Sequence, residues 1–121
     1  MATGVEVILG AVNDPSFGPY VMAGLGGALT EVLHNVAHRF APVSLEDARE
    51  MIAELKGAKV LTGYRGAVRA DVEALAQAIV SLSWLIADHA NRIAEIDVNP
   101  LFAGPEGRGA VAADALIVLR A

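Results

Sequence analysis

The 121-residue sequence contains no cysteine, and that absence excludes disulfide frameworks and thiolate metal sites. A reducing, cytoplasmic setting is the expectation that agrees with it. Aromatic residues are scarce at 5%, so the core has to be built from Ala, Val, Leu, Ile and Gly. No cluster of Lys or Arg is present, and 9 basic against 14 acidic residues leave a net charge of −5. The electrostatic footprint of a nucleic-acid binder is therefore missing. No apolar run reaches the roughly 18 residues that a membrane-spanning helix requires. The longest candidate, residues 74–87, is interrupted by Gln77, Ser81 and Ser83. The N-terminus lacks a basic stretch followed by an apolar one, so it does not read as a signal peptide. Hydrophobic residues nevertheless reach 55%. Two explanations stand side by side: an alanine-rich aliphatic core, or apolar surface reserved for another domain or chain.

Hydrophobic periodicity and turn residues divide the chain. Residues 5–12 (VEVILGAV) are apolar and β-branched and read as a buried strand, with Glu6 the exception. Asn13-Asp14-Pro15-Ser16 is a turn cluster, and residues 17–23 form the second arm of a hairpin. Gly24-Leu25-Gly26-Gly27 is expected to break regularity. Residues 31–36 fit strand or helix equally, and residues 36–43 read as a strand. Ser44, with Asp47 three residues on, has capping-box spacing and opens a helix over residues 45–55 that Gly57 ends. Gly63-Tyr64-Arg65-Gly66 is a loop. The longest helix runs from Asp71 to about Asn91, with Val72, Leu75, Ala76, Ile79, Leu82, Leu85 and Ile86 on one broad face and Trp84 assigned to the core. Residues 93–102 form a strand, residues 104–109 a turn, and residues 110–119 a final strand. This order predicts one α+β domain over residues 1–121: a mainly antiparallel sheet with its helices on one face. Strands and helices do not alternate, so a doubly wound nucleotide fold is not expected.

The chemistry concentrates in Glu95-Ile96-Asp97-Val98-Asn99-Pro100-Leu101. Alternation along a strand sends Glu95, Asp97 and Asn99 to one face. Three oxygen-bearing side chains beside an otherwise apolar strand need a partner. Carboxylate and amide oxygens are the donors that Mg²⁺ prefers, usually with substrate phosphates completing its shell. Antiparallel pairing around the 104–109 turn is expected to set Asp114 beside Asn99. The alternative is that these acids decorate the solvated face of an edge hairpin. His34 and His38 stand four apart without a His-Glu-x-x-His pattern, and with His89 they are assigned structural or surface roles.

The Asp97-Val98-Asn99-Pro100-Leu101 stretch resembles the acid-x-Asn-Pro metal motif of ATP-grasp enzymes. It looks most like the C-terminal ATP-grasp subdomain of NDP-forming (ADP-forming) acyl-CoA synthetases, relatives of the succinyl-CoA synthetase beta subunit. Gly4-Val5-Glu6-Val7-Ile8-Leu9-Gly10, Asp14-Pro15, Phe17-Gly18-Pro19, Gly24-Leu25-Gly26-Gly27 with Glu31, and Gly63-Tyr64-Arg65-Gly66 extend the resemblance from about Gly4 to Leu119. Where the family more often has a basic residue before Asp14, this chain has Asn13. The resemblance implies that Asn99 and Asp114 hold Mg²⁺ against the nucleotide phosphates, with Asp97 a ligand or its near neighbour. It implies that Glu6 accepts hydrogen bonds from the ribose hydroxyls of ATP or ADP, as a carboxylate can. Glu95 falls outside the motif and is expected to stay solvated or to pair with a base. The glycine loop is expected to shape the active-site wall. Arg65 grips a phosphate or forms a surface ion pair.

By the same resemblance the chain is half of an ATP-grasp domain and partners an N-terminal lobe. Its parent is an acid–thiol ligase that interconverts acyl-CoA, ADP and phosphate with acid, CoA and ATP through a phosphohistidine elsewhere. CoA and acyl-CoA are bound by other domains, an oligomer is possible, and the isolated 121 residues are expected to be inactive. Two other readings remain open at this point: a regulatory synthetase-like module of a protein lysine acetyltransferase, and a non-catalytic interaction domain.

Overall fold

The computed structural model describes residues 5–26, 36–55, 58, 61 and 69–120. The expectations attached to Gly4, Gly27, Glu31, His34, Gly57 and the 63–66 loop with Arg65 fall outside them. In chain order the elements are β1 (Val5–Asp14), β2 (Gly18–Leu25), β3 (Val36–Phe40), α1 (Leu45–Glu54), α2 (Val72–Asp88), β4 (Ile93–Ala103), β5 (Ala110–Ala112) and β6 (Ala115–Leu119). The six strands form one sheet in the order β3-β2-β1-β4, with β5 and β6 both pairing the far side of β4. Every pairing between these strands is antiparallel, so the expected α+β class holds.

Side-chain alternation makes the sheet two-faced. Val7, Leu9 and Ala11 of β1 and Val21, Ala23 and Leu25 of β2 are buried on one side. Ala48, Met51 and Ile52 of α1 and Leu75, Ala76, Ile79, Leu82 and Ile86 of α2 join them in one core. Each fully buried aliphatic side chain of Val, Leu or Ile size contributes about 1.5–3 kcal/mol relative to exposure. Among the described residues no helix covers the opposite face.

Local chemistry sets both helix starts. The Ser44 hydroxyl accepts from the Asp47 N–H at 3.0 Å, and the Asp47 carboxylate accepts from the Ser44 N–H at 3.1 Å, a complete capping box. Ser44→Ala is expected to destabilise the fold by about 1 kcal/mol, read as a lower thermal unfolding midpoint; an unchanged midpoint would contradict the cap. At α2, Asp71 accepts from the Ala74 N–H at 3.0 Å and from the Gly109 N–H at 2.7 Å. It thereby ties the helix start to the β4–β5 turn. The Ala74 hydrogen bond first, then those of Gly109 and Gly107, hold its carboxyl below the usual aspartate range. A depressed carboxyl stabilises the fold above the ordinary aspartate range and loses that contribution as pH falls through its own lowered value.

Three expectations are corrected. Trp84 is 51% exposed and Leu85 is 39% exposed. The buried stripe of α2 centres near Ile79, and at 100° per residue Trp84 lies about 140° around the helix from it. Ser83 takes the inward place instead, accepting from the Val43 N–H at 3.0 Å and donating to the Val80 carbonyl at 2.7 Å. Gly24 does not break β2; it pairs with Ile8 on one side and Val36 on the other, and pairing to two neighbours outweighs glycine's weak strand preference. Finally, the expected strand over residues 110–119 splits at Ala113-Asp114. The split faces an irregularity in β4 around Pro100, which has no N–H to give to a ladder.

Candidate functional site

The open face is organised by register into rows across the strands. Leu116, Asp97, Gly10, Met22 and His38 form one row, and Val118, Glu95, Val12, Tyr20 and Phe40 the next toward the β1–β2 turn. Glu6 and Phe102 pair at the other end, where Glu6 is exposed. Gly10 leaves the middle of the face low: a Cβ there would come within 3.1 Å of the Met22 side chain.

Between the Val7–Leu101 and Leu9–Val98 pairs the register shifts, so Ile8 alone faces the two residues Asn99 and Pro100. This bulge re-aims β4, as bulges beside functional sites do. The Asn99 N–H donates to the Asp114 carbonyl at 3.1 Å, and the Ala113 N–H donates to the Pro100 carbonyl at 2.9 Å. These two bonds hold Asp114, at the β5–β6 break, directly beside Asn99. Asp97, Asn99, Asp114, Ala115 and Leu116 line one cavity of about 140 Å³. The placement of Asp114 beside Asn99 expected from hairpin pairing is therefore what the structure shows.

Of the two expectations for Glu95, solvation rather than a base fits: among the described residues its carboxyl lies against Asp97, partly exposed, and is held above the usual glutamate range. A hydrogen bond with Asp97 is the main cause, followed by repulsion from the Asp97 charge and partial desolvation.

The donor set suits a hard divalent cation: two carboxylates and one amide oxygen around a small polar cavity. Among the described residues no three His, Asp or Glu side chains converge as a metal group by themselves. An all-protein cage is thus absent from them, whereas Mg²⁺ commonly takes one or two carboxylates and leaves its other positions to phosphates and water. The residues fit an ion of that kind.

A larger cavity, about 620 Å³, lies near the β1–β2 turn among Asp14, Phe17, Tyr20, His38, Arg39 and Phe40. It contains none of the acid–amide set. His38 is exposed and stands 6.2 Å from the Tyr20 ring, in keeping with a surface role. Asn13, one residue before the turn, is only 5% exposed. Its amide donates to the carbonyls of Ile86 at 3.1 Å and Ile93 at 2.7 Å, locking the end of α2 to the start of β4. Alternation places residue 13 on the same side as residues 7, 9 and 11, which was the available signal for its burial.

The family profile described as an ATP-grasp domain matches residues 1–119. The beta subunit of acetate–CoA ligase (ADP-forming) II of Pyrococcus furiosus is 44% identical over 117 residues, covering 97% of this chain and 50% of that protein. A trans-feruloyl-CoA synthase from an unknown prokaryotic organism is 42% identical over 116 residues, covering 96% of this chain and 16% of that protein. Among solved structures, the dinucleotide-forming acetyl-coenzyme A synthetase 1 of Candidatus Korarchaeum cryptofilum, in complex with coenzyme A and Mg-AMPPCP, matches with a TM-score of 0.89 at 44% identity. That match covers 99% of this chain and 55% of the other. The chain thus spans about half the length of the beta-subunit relative.

Proposed function

Because the chain belongs to the ATP-grasp family, we propose that it is the C-terminal, metal-carrying half of the nucleotide site of an ADP-forming acyl-CoA ligase. The parent interconverts acyl-CoA, ADP and phosphate with acid, CoA and ATP through a phosphohistidine on another segment. The observation that carries this reading is the single cavity shared by Asp97, Asn99 and Asp114 on the face without helices. Asn99 and Asp114 would hold Mg²⁺, with Asp97 alongside. When bound, the ion supplies charge neutralisation for the phosphates of ATP or ADP. Glu6 accepts from the ribose hydroxyls. From Glu6 to Gly10, which pairs with Asp97, is four residues, about 13 Å of strand, room for a ribose and its phosphate chain. The relative crystallised with Mg-AMPPCP supports this assignment.

The exposed apolar surface agrees with a half-site. Leu116, Ile117, Val118 and Leu119 are all exposed, as are Phe17 and Phe40 on the open face. An N-terminal lobe and further domains of the parent cover such surface, and they bring CoA and the acyl group. The matched relatives are named for acetate and for a feruloyl group at 44% and 42% identity, which supports acyl selection by other parts of the parent. A cytoplasmic setting suits a reaction on ATP and CoA.

Calorimetry tests the division of labour. The isolated 121 residues should bind Mg-ATP only in the millimolar range or not at all, about 4 kcal/mol of binding free energy or less. The full-length protein should bind it and form ATP from acyl-CoA, ADP and phosphate. Tight, Mg²⁺-dependent binding by the isolated chain would show that a second lobe is not needed.

A further inference from the structure

We infer that Gly26 is a positioning residue for Glu6, and so sets how the chain presents a carboxylate to the nucleotide sugar. This rests on the proposed role of Glu6 at the ribose, and the experiment below separates the two. The Gly26 N–H donates to the Glu6 carbonyl at 2.7 Å, so the end of β2 is drawn against the start of β1. A Cβ at residue 26 would lie 3.0 Å from Glu6 Cγ and 3.2 Å from both its Cβ and its carbonyl carbon. Carbon atoms in ordinary contact stand about 3.5–4.0 Å apart. Among the described glycines, the left-handed backbone belongs to Gly18, Gly107 and Gly109, not to Gly26. Backbone conformation therefore does not demand glycine at residue 26; the close approach of the Glu6 stem does.

The atom met at the shortest distance is the methylene that carries the carboxylate. A methyl group at residue 26 presses on the Glu6 stem, so the stem or the two strands have to give by a few tenths of an ångström. Either adjustment shifts the carboxylate on the open face while leaving the Asp97, Asn99 and Asp114 cavity, between β4 and the edge strands, in place. The expected signature is a loss of sugar recognition rather than of phosphate chemistry.

The test uses the full-length ligase, with KM and kcat measured for ADP and for 2′-deoxy-ADP in the direction of ATP formation. The unmodified enzyme should favour the ribonucleotide in kcat/KM by about tenfold or more, the worth of a hydrogen bond to a charged group. Glu6→Ala should abolish that preference. Gly26→Ala should abolish most of it, chiefly through KM, with kcat at saturating nucleotide largely kept. In the Glu6→Ala background, adding Gly26→Ala should change the preference no further, because both act through one side chain. If Glu6→Ala retains the ribose preference, the Glu6 reading itself fails. If Glu6→Ala loses it and Gly26→Ala keeps it, the positioning role is overturned. Should Gly26→Ala fail to fold, the double variant decides. A folded double variant places the pressure on the Glu6 side chain, as inferred. An unfolded one shows that glycine serves the backbone pairing, and overturns the inference.

Discussion

On the proposed reading, replacing Asp114 or Asn99 by alanine in the full-length protein is expected to lower acyl-CoA-dependent ATP formation by about a hundredfold or more. Losing a ligand that helps neutralise phosphate charge is worth several kcal/mol in the transition state, and each 1.4 kcal/mol or so is about tenfold in rate. The fold should survive both changes. Asn99 and Asp114 are exposed, and the contact between them runs from the Asn99 N–H to the Asp114 backbone carbonyl, not through either side chain. Unfolding midpoints should therefore stay close to the parent value, as for surface substitutions generally. Raising Mg²⁺ should recover part of the lost rate in either variant if the defect is weakened metal binding. ATP formation that persists at parental rates in both variants would remove the metal reading and leave the acids as surface decoration.

Asn13→Asp should be the most damaging single change to stability, about 3–5 kcal/mol, the cost of leaving a buried charge without a partner. The two side chains have nearly the same shape, so packing is not the issue. The Asn13 amide nitrogen donates to the carbonyls of Ile86 and Ile93, and a carboxylate in its place would aim oxygen at oxygen. The Asn13 side-chain oxygen already lacks a partner, so a second acceptor there meets no donor. The substituted carboxyl would be driven to a higher pKa in the folded state than in the unfolded one. Its penalty is then complete at neutral pH and relieved as pH falls below that raised value. Urea unfolding at neutral and at mildly acidic pH reads both effects. A variant as stable as the parent at neutral pH would show that the amide donors carry little.

The strands, both helices and the Ser44 cap were legible because the patterns behind them are local. The continuous apolar, β-branched run in residues 5–12, helical spacing in residues 72–86 and the Ser44–Asp47 pair each act over a few neighbouring residues. Legibility ended where partners lie far apart in the chain. Trp84 belongs to an apolar stretch, and only the packing of α2 on the sheet turned it outward. Glu95 was expected to stay solvated or to meet a base, and the contact with Asp97 that the sheet gives it was not foreseen. Nothing in residues 110–119 alone announces the break at Ala113-Asp114, because its cause sits in the Asn99-Pro100 bulge of the neighbouring strand.

By itself, the sequence determined the order of the elements and put Glu95, Asp97 and Asn99 on one face of a strand, since residue type and short-range spacing are enough for those; the set Asp97, Asn99 and Asp114 came from the resemblance to a known motif. The tertiary structure alone decided that the three donors share one cavity on the face opposite the helices. Bringing residues 97, 99 and 114 together takes a cross-strand register set by a bulge, and register depends on pairings between residues distant in the chain.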